Sequence, residues 1–480
     1  MALIFILIFA VTASAQAPIS GYINGTLEDT TYSVEGYIYV AEGDSLIIEP
    51  GAVLLFNGDY QFIIYGYLYA AGTNSDSIIF QCADGVELWG TIVFNDNCDD
   101  NSVLSYCYIT GCRLGGINCY YCDITISYCT ITGNFASWGG GIYINTANPQ
   151  IMHCVIYDNW CVCNGGGIYC THSSPTISDC IIYNNSCNIG GSGSGQGGGG
   201  ICANHGSNPT ILNCTIYDNL TNDKGGGIAI NDNSVVTMIE CEIYDNWALH
   251  EGGGIYICYT EATISRCTIS GNTTPNFGGG ISMGWQANPT IINSIIESNN
   301  GDGGIYIDTS TTPSISYCDI FGNEGGNIIG DSLEPGLGEV TIVNANGDSC
   351  DIFHNIFLDP LFYDPTAGNF QLQEDSPCID AGDPASGFDP DGTTADLGAH
   401  FYPQGAQPQL IYDLTISISD SSVLLIWGSI PDAFIYHIYR SETPYFETSG
   451  IQPIAYNNSP FFEDDNAVLE GLYFYRVTWE

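Results

Sequence analysis

Apolar residues alternate with polar or aromatic residues along short segments of this chain. In the stretch GGGIYINTANPQIMHCVIYDN, which begins at Gly139, Ile142 and Ile144 point to one side and Tyr143 to the other. Residues 154–157 repeat this alternation. A period of two predicts β-strands, because successive side chains of a strand point to opposite faces. Helical spacing of apolar residues is absent, so the pattern predicts an all-β fold.

The isoleucine that follows each glycine run marks a repeat. Successive spacings lie between 24 and 27 residues, except for one of 33 that contains the insertion GGSGSGQGG. The positions are Ile117, Ile142, Ile168, Ile201, Ile228, Ile255, Ile281 and Ile305. A fixed period in the twenties indicates a solenoid, and Ile, Thr and Tyr favour strands. The sequence therefore predicts a right-handed parallel β-helix over residues 21–358, with about a dozen coils.

An asparagine ends each repeat of the form P-x-I-x-x-C-x-I-x-x-N. Equivalent residues of successive coils should stack at about 4.8 Å, so their amides should hydrogen-bond in a ladder. The predicted ladder is Asn134, Asn159, Asn185, Asn219, Asn246, Asn272, Asn299 and Asn323. The glycine runs then form a corner where a Cβ would not fit. No GxxxxGK[ST] motif is present, so a phosphate-binding loop is excluded.

A cysteine column accompanies the asparagine ladder on the inward side. It comprises Cys107, Cys129, Cys154, Cys180, Cys214, Cys241, Cys267 and Cys318, and Ser294 is its one interruption. Side chains on in-register parallel strands point the same way, which gives poor disulfide geometry. We therefore expect unbridged core thiols. Cys119, Cys122, Cys161 and Cys163 lie outside the column and are expected to oxidise more readily.

The charge balance limits the possible partners. The 480 residues include 53 acidic and only five basic residues, a net charge of −48. Nucleic-acid binding depends on Lys and Arg and is excluded on this balance. Residues 1–15 have the apolar run and small-residue cleavage pattern of a signal peptide. No later segment has the length of a transmembrane helix. We expect an exported, extracellular or surface-attached protein, most simply a monomer.

Two segments resemble parts of secreted bacterial β-helix proteins. Residues 41–80 resemble their opening coils, through Ile48-x-Pro50-Gly51 and Gly66-x-Leu68-x-Ala70-x-Gly72-Thr73. Residues 359–402 resemble the closing module called choice-of-anchor Q, through Asp359-Pro360, Ile379-Asp380-Ala381-Gly382 and Asp396-Leu397-Gly398-Ala399. The arginine that usually follows D-x-D-G in that family is missing. The resemblance implies that this module closes the solenoid, whose last coil would otherwise expose open strand edges.

Residues 410–480 resemble a fibronectin type III domain. Trp427 matches the tryptophan of its second strand, and Leu469, Tyr475 and Val477 match the signature of its sixth. The resemblance implies a small β-sandwich. Its final strand is not found before Glu480, so we expect either a truncated domain or an edge that a partner completes.

The repeats resemble those of polymorphic outer-membrane adhesins, with GGGI and IxxN in place of the family's GGA[ILV] and FxxN. This resemblance implies a non-catalytic adhesive or carbohydrate-binding protein that presents a rigid rod to surface glycans or extracellular polymers. Two outward tyrosine columns are the candidate binding residues: Tyr143, Tyr169, Tyr256 and Tyr306 on one strand, and Tyr157, Tyr183, Tyr217 and Tyr244 on another. The alternative is that these rings only stabilise neighbouring strands by stacking on each other.

Two enzyme classes are the alternative functions. A polysaccharide lyase needs a basic residue, and only Arg113, Lys224 and Arg266 lie in the repeats. A glycoside hydrolase needs two carboxylates across the cleaved bond. The polygalacturonase motifs are incomplete, because only Asp99-Asp100 is present. No catalytic residue is therefore assigned.

Calcium is the one cofactor that the sequence suggests. Asp218 and Asp245 occupy equivalent positions of adjacent coils, where a bound Ca²⁺ would relieve their repulsion. Asp389, Asp391 and Asp396 form a second candidate loop that does not fit the EF-hand pattern. The alternative is that these carboxylates are simply solvated.

Overall fold

The computed structural model describes residues 17–187, 197–331 and 333–404. Of the C-terminal part it describes six strands and Trp427. The predicted signal peptide therefore lies outside the described residues. The chain divides into two compact units, residues 1–382 with 396–400, and residues 383–395 with 401–480.

The first unit is a solenoid of about 11 turns in which each coil adds a strand to several parallel sheets. The prediction of a parallel β-helix is confirmed. Two long strands, Ala17–Tyr22 and Thr31–Val40, begin the largest sheet of 24 strands. This sheet then continues as two separate stacks, which we call the cysteine sheet and the glycine sheet after the residues that precede their strands.

The strands of the two stacks keep strict register from coil to coil. Those of the cysteine sheet are Val53–Phe56, Ile78–Cys82, Cys107–Thr110, Thr130–Thr132, Val155–Tyr157, Ile181–Tyr183, Thr215–Tyr217, Glu242–Tyr244, Thr268–Ser270, Ile295–Glu297 and Asp319–Phe321. Those of the glycine sheet are Phe62–Ile64, Ile92–Phe94, Ile117–Tyr120, Ile142–Asn145, Ile168–Thr171, Ile201–Asn204, Ile228–Ile230, Ile255–Cys258, Ile281–Gly284, Ile305–Ile307 and Ile328–Gly330.

Two further parallel sheets complete the coils. The twelve-stranded sheet is formed by Gly25–Leu27, Ser45–Ile48, Tyr67–Ala71, Val103–Ser105, Thr125–Ser127, Gln150–Met152, Thr176–Ser178, Thr210–Leu212, Val236–Ile239, Ala262–Ser265, Thr290–Ile292 and Ser314–Ser316. The short sheet has seven strands, Phe135–Trp138, Trp160–Asn164, Ser186–Cys187, Leu220–Thr221, Trp247–Ala248, Thr273–Phe277 and Asn300–Asp302.

The core is built from the inward residues of every coil, mainly isoleucine and the cysteine column, which are almost fully buried. The column cysteines are free thiols in the structure. Each asparagine of the ladder donates from Nδ2 to Oδ1 of the next, at 2.9–3.0 Å. Cys122, which was expected to oxidise more readily, forms a disulfide with Cys98 of the preceding coil, with 6.0 Å between their Cα atoms.

The glycine runs form a corner that has no room for side chains. Gly165 has a φ of +69°, which disfavours residues with a Cβ. A Cβ on Gly166 would lie 2.4 Å from the carbonyl oxygen of Gly199, and one on Gly167 would lie 2.7 Å from that of Gly200. The corner thus depends on glycines in neighbouring coils facing each other.

The end of the solenoid is closed differently from the prediction. Residues 333–358 contribute Leu337 to the core at the last coil, and the short strands Ile342–Val343 and Ser349–Cys350 lie in this segment. Residues 359–382 and 396–400 of the predicted closing module instead pack along the outer side of the cysteine sheet. There Phe370 contacts Tyr244 with 5.1 Å between ring centroids, and the Ala399 N–H donates to Thr268 Oγ1 at 3.0 Å. A flank of the sheet, rather than its open end, is covered by this module.

The remaining elements are antiparallel. Phe362–Asp364 and Asn369–Leu372 form a hairpin around the 3-10 turn Pro365–Ala367. In the second unit the strands make two three-stranded sheets. One contains Thr415–Ser419, Ser422–Ile426 and Phe461–Asp464, and the other contains Ala455–Asn457, Tyr436–Ser441 and Phe474–Trp479. Trp427 and Val477 are buried, Tyr475 lies in the last strand, and Leu469 is outside the described residues.

Candidate functional site

The tyrosine column of the cysteine sheet is a continuous stack of rings. Tyr157, Tyr183, Tyr217 and Tyr244 have centroid distances of 4.9, 5.0 and 4.9 Å and are parallel within 6°. Burial beside the neighbouring rings raises the pKa of Tyr183 to about 12. The ring faces between these four tyrosines are therefore occupied by one another, and Tyr244 also contacts Phe370. Ring edges and hydroxyl groups are what this column presents outward.

The tyrosine column of the glycine sheet is interrupted. Tyr143 and Tyr169 stack at 5.7 Å, but the next two coils carry Cys202 and Ala229 at this position. Tyr256 is only 4% exposed. The column that the sequence suggested is therefore divided into separate parts.

Tyr306, the last member of that column, packs against another aromatic residue of the protein. Its ring stacks on Phe277 of the short sheet at a centroid distance of 4.5 Å. One face of this ring is consequently unavailable to a ligand.

The only lysine of the chain lies at the outer side of the glycine sheet. Lys224 Nζ is 3.3 Å from Glu251 Oε1 and donates to the Tyr256 hydroxyl at 3.0 Å. Burial raises the pKa of Tyr256 well above its ordinary value. Glu251 offsets the charge of Lys224 within the protein. Lys224 therefore has the geometry of a structural ion pair and not that of an unpaired catalytic base.

Asp218 and Asp245 occupy a left-handed turn that occurs once in every coil. Both have a φ of +52°, and the same position holds Asn184 in one neighbouring coil and Gly271 in the other. Asp, Asn and Gly are the residues that adopt this conformation most readily. Burial raises the pKa of Asp218, and burial together with the Asp218 charge raises that of Asp245. Backbone conformation thus explains the residue type at this position.

The acidic residues of the second candidate loop are engaged by nearby backbone. Asp391 Oδ1 accepts hydrogen bonds from the Thr393 N–H and hydroxyl, and Oδ2 accepts one from the Gln404 N–H. These donors lower the pKa of Asp391 despite partial burial, which acts in the opposite direction. Asp396 Oδ1 accepts from the Asp380 N–H at 2.7 Å, and Asp389 is part of the turn closed at Thr393. Within the described residues, no three His, Cys, Asp or Glu side chains converge as metal ligands would.

The short sheet carries aromatic and apolar residues that the sequence analysis did not select. Equivalent positions of its successive strands hold Phe135, Trp160, Ser186, Leu220, Trp247, Thr273 and Asn300. Trp160 is 38% exposed and Leu220 is 39% exposed. Phe135 and Trp247 are half-buried, and Ser186 interrupts this partly apolar stripe.

This stripe ends in a groove of about 430 Å³, which we call the tryptophan groove. Its lining residues are Trp247, Thr273, Thr274, Pro275, Asn300, Gly301, Asp302, Glu324 and Gly325. The groove spans three coil-to-coil steps, about 14 Å at the usual strand spacing. It combines one indole ring, an amide, hydroxyl groups and two carboxylates on adjoining coils.

A bulge shapes the groove. Thr273 pairs with Asn300 and Phe277 pairs with Asp302, so three residues of one strand lie opposite a single residue, Gly301. Bulges of this kind bend a strand and redirect its side chains. On the next coil Gly325 packs closely, since a Cβ there would lie 3.0 Å from Asp302 Cα. Asp302 and Glu324, on adjoining coils, both line the groove.

The family comparison agrees with this architecture. The right handed beta helix region matches residues 30–196, 115–274 and 200–358, which together cover more than half of the chain. The chain belongs to the right-handed β-helix family. No curated protein matches it.

Solved structures with similarity to this β-helix protein have low sequence identity. They include the periplasmic alginate epimerase AlgG (14% identity, TM-score 0.39, 63% of this chain and 73% of that chain). Pectate lyase Pel9A has 15% identity and a TM-score of 0.34, with 74% of this chain and 89% of that chain covered. The Dettilon tailspike protein gp208 has 12% identity and a TM-score of 0.35, with 64% and 62% covered. These values support no inference about function.

The β-helix sequence did contain a signal for the tryptophan groove. Trp160 directly follows Asn159, and Trp247 directly follows Asn246, so both occupy the position after the ladder asparagine. The bulge at Thr274–Asn276 had no such signal, because its place depends on which residues of two neighbouring coils pair. In the described part of this β-helix protein, no helix has the length and apolarity to span a membrane.

Proposed function

We propose that the protein is a non-catalytic, exported or cell-surface β-helix protein that binds carbohydrate. The observation that carries this proposal is the tryptophan groove, where an indole ring lies beside Asn300, Thr273 and two carboxylates. A flat ring packs on the apolar C–H face of a sugar, while amide and carboxylate groups hydrogen-bond its hydroxyls. Ligand sites generally combine an apolar surface with a few placed polar groups in this way.

The rest of the aromatic stripe supports a site for a polymer rather than for a single sugar. Trp160 and Phe135 lie at the position of Trp247 on earlier coils, and their rings stack at 4.4 Å. The exposed part of Trp160 remains accessible to solvent. A chain of sugars running along the short sheet would meet apolar surface on several coils.

The predicted modules fit an exported binding protein. Under this proposal residues 1–15 are a signal peptide, residues 359–402 are a choice-of-anchor-like module, and residues 410–480 are a fibronectin type III-like domain. The sheet order of the second unit, with the first two strands and the fifth in one sheet, is compatible with a fibronectin-like sandwich. Its binding partners would be surface glycans or other extracellular polymers.

Glycan-array binding of the purified full chain tests the proposal. We expect retention of at least one class of extracellular polysaccharide, with binding reduced tenfold or more by Trp247→Ala. Trp285→Ala is the matched control, because Trp285 is 56% exposed but lies outside the groove. The proposal fails if no glycan is retained, or if both tryptophan variants bind as wild type does.

The catalytic alternative is a polysaccharide lyase or glycoside hydrolase, and the observation that favours it is the contact between Lys224 and Tyr256. Release of unsaturated or reducing ends from polygalacturonate or alginate would support it, if Lys224→Ala abolished that release. We prefer the binding function because Glu251 neutralises Lys224 and because Tyr256 is nearly inaccessible.

A further inference from the structure

The tryptophan groove has an electrostatic character that restricts its ligands. Asp302 and Glu324 are exposed, and within the described residues neither side chain has an ion-pair or hydrogen-bond partner. No basic residue lines the groove. We propose that the groove binds sugars that carry a protonated amino group, such as oligomers of glucosamine. This inference rests on the proposed carbohydrate-binding function and names the ligand class of the same site.

The charges of the solenoid exclude the opposite ligand class. Each basic residue of the repeats is already paired with a carboxylate: Arg113 with Asp59, Lys224 with Glu251, and Arg266 with Glu240. A uronate polymer would therefore find no uncompensated cation on the solenoid and would meet a net charge of −48. An ammonium group would instead enter a favourable field and meet two carboxylates.

The position of the carboxylates relative to the indole ring distinguishes an amino sugar from a simple cation. Trp247 and Glu324 lie at opposite ends of the groove, three coils apart, with Thr273 and Asn300 between them. Asn300 Nδ2 and Thr273 Oγ1 are 3.3 Å apart, so they form one polar pair on the groove floor. A ligand that uses the whole groove needs an apolar ring face, hydroxyl groups and a positive charge. A protonated amino-sugar oligomer has all three, whereas a basic peptide lacks the sugar ring.

Titration calorimetry of the full chain at mildly acidic pH and low salt tests the inference. The probes are a glucosamine oligomer, its N-acetylated counterpart of equal length, and an oligolysine. We expect the glucosamine oligomer to bind about tenfold more tightly than the N-acetylated one, as two exposed ion pairs would allow. Added salt should reduce this preference.

Two sets of variants test whether the preference for the glucosamine oligomer arises in the tryptophan groove. D302N combined with E324Q should make the two sugars bind equally, and Trp247→Ala should weaken both. D84N combined with E87Q removes the same charge from an exposed turn elsewhere and should leave the preference unchanged. This control separates a local effect from that of the overall charge.

The outcomes separate the inference from the function on which it rests. Equal binding of both sugars, still dependent on Trp247, would overturn the amino-sugar inference and leave carbohydrate binding intact. Oligolysine binding as tight as that of the glucosamine oligomer and insensitive to Trp247→Ala would also overturn it, since it would reveal only a general attraction to cations. If neither sugar binds while another glycan is retained on the array, the inference alone falls.

Discussion

Asn159 Nδ2 donates to Asn185 Oδ1 at 3.0 Å across two coils of the solenoid, and the Asn159 N–H donates to the same oxygen at 3.1 Å. Asn185 in turn donates to Asn219 Oδ1 and to the Ile156 carbonyl. The buried amide of Asn185 thus forms hydrogen bonds with backbone and side-chain groups of the neighbouring coils. These bonds hold each coil to the next.

We expect Asn185→Leu to lower the free energy of unfolding by roughly 3 kcal/mol or more. The leucine removes the acceptor of two buried N–H groups and the donor to two oxygens, and each unsatisfied group costs about 1–3 kcal/mol. Denaturant unfolding measures this loss. Asn97→Ala, at an exposed turn, is the control and should have an effect below about 0.5 kcal/mol. A ladder variant as stable as this control would contradict the structural role of the ladder.

In the cysteine column we expect Cys214→Ser to be tolerated better than Cys214→Ala. The Cys214 thiol donates to the Leu212 carbonyl at 3.2 Å and accepts from the Cys180 N–H at 3.5 Å. Ser294 replaces a cysteine in this column with the same two contacts, to Ile292 and Cys267. A hydroxyl therefore preserves the hydrogen bonds that alanine loses. Unfolding midpoints in the reverse order would disprove this interpretation.

The column thiols should also resist alkylation in the native protein, because their side chains are 0–1% exposed, and burial in addition raises the pKa of Cys129 and Cys214 well above the ordinary value. Mass spectrometry after labelling with and without denaturant measures their reactivity. Complete native labelling of the column would contradict the structure. Cys163, which is only half-buried, serves as the internal comparison.

Asp218 and Asp245 should make stability depend on pH. Their pKa values are raised in the folded protein, so the folded state binds more protons, and stability falls as pH rises from about the ordinary value of 3.8 through the raised values. Asp218→Asn should weaken this dependence while keeping the left-handed turn, which Asn184 already adopts one coil earlier. Melting temperatures across this pH range test the prediction. A variant with the wild-type pH profile would refute it.

The same melts test the calcium hypothesis for this pair. If Ca²⁺ bridges the two carboxylates, calcium should raise the melting temperature of the wild type relative to chelator, and Asp218→Asn should remove that increase. Equal midpoints with calcium and with chelator would eliminate the site.

We expect Asp319 to make the stability of the predicted closing module depend on pH. Its Oδ2 accepts from the Cys378 thiol at 3.3 Å and its Oδ1 from the Leu358 N–H at 3.1 Å, and it is fully buried. Burial raises its pKa well above the ordinary value, so its contribution to stability is present at low pH and is lost as pH rises. Asp319→Asn keeps an acceptor for Leu358 without the charge. We expect this variant to lose less stability than the wild type at alkaline pH.

Limited proteolysis between residues 359 and 400 checks where that effect acts. Cleavage of the wild type should increase with pH more steeply than cleavage of Asp319→Asn. Identical cleavage profiles would show that Asp319 does not control this module.

Local residue patterns were sufficient to predict the repeat. Alternating Ile142, Tyr143 and Ile144 identified strands, and the period between glycine runs identified coils, because each coil repeats the same local environment. The order of the asparagines and cysteines followed directly from in-register stacking. The location of residues 359–400 did not, since their contacts with Tyr244 and Thr268 join segments more than a hundred residues apart. The pairing of Cys122 with Cys98 likewise depended on loops that stack in space.

The sequence by itself determined the parallel β-helix and its internal ladders, since a short repeated pattern of side chains specifies strands, corners and a buried face. Only the tertiary structure decided which outward residues are accessible. Four similar tyrosines use their ring faces on each other because strand spacing matches ring stacking. Trp247 instead borders an open groove, because the strand Thr273–Phe277 is two residues longer than its partner Asn300–Asp302. Differences between coils, and not the repeat itself, create the candidate site.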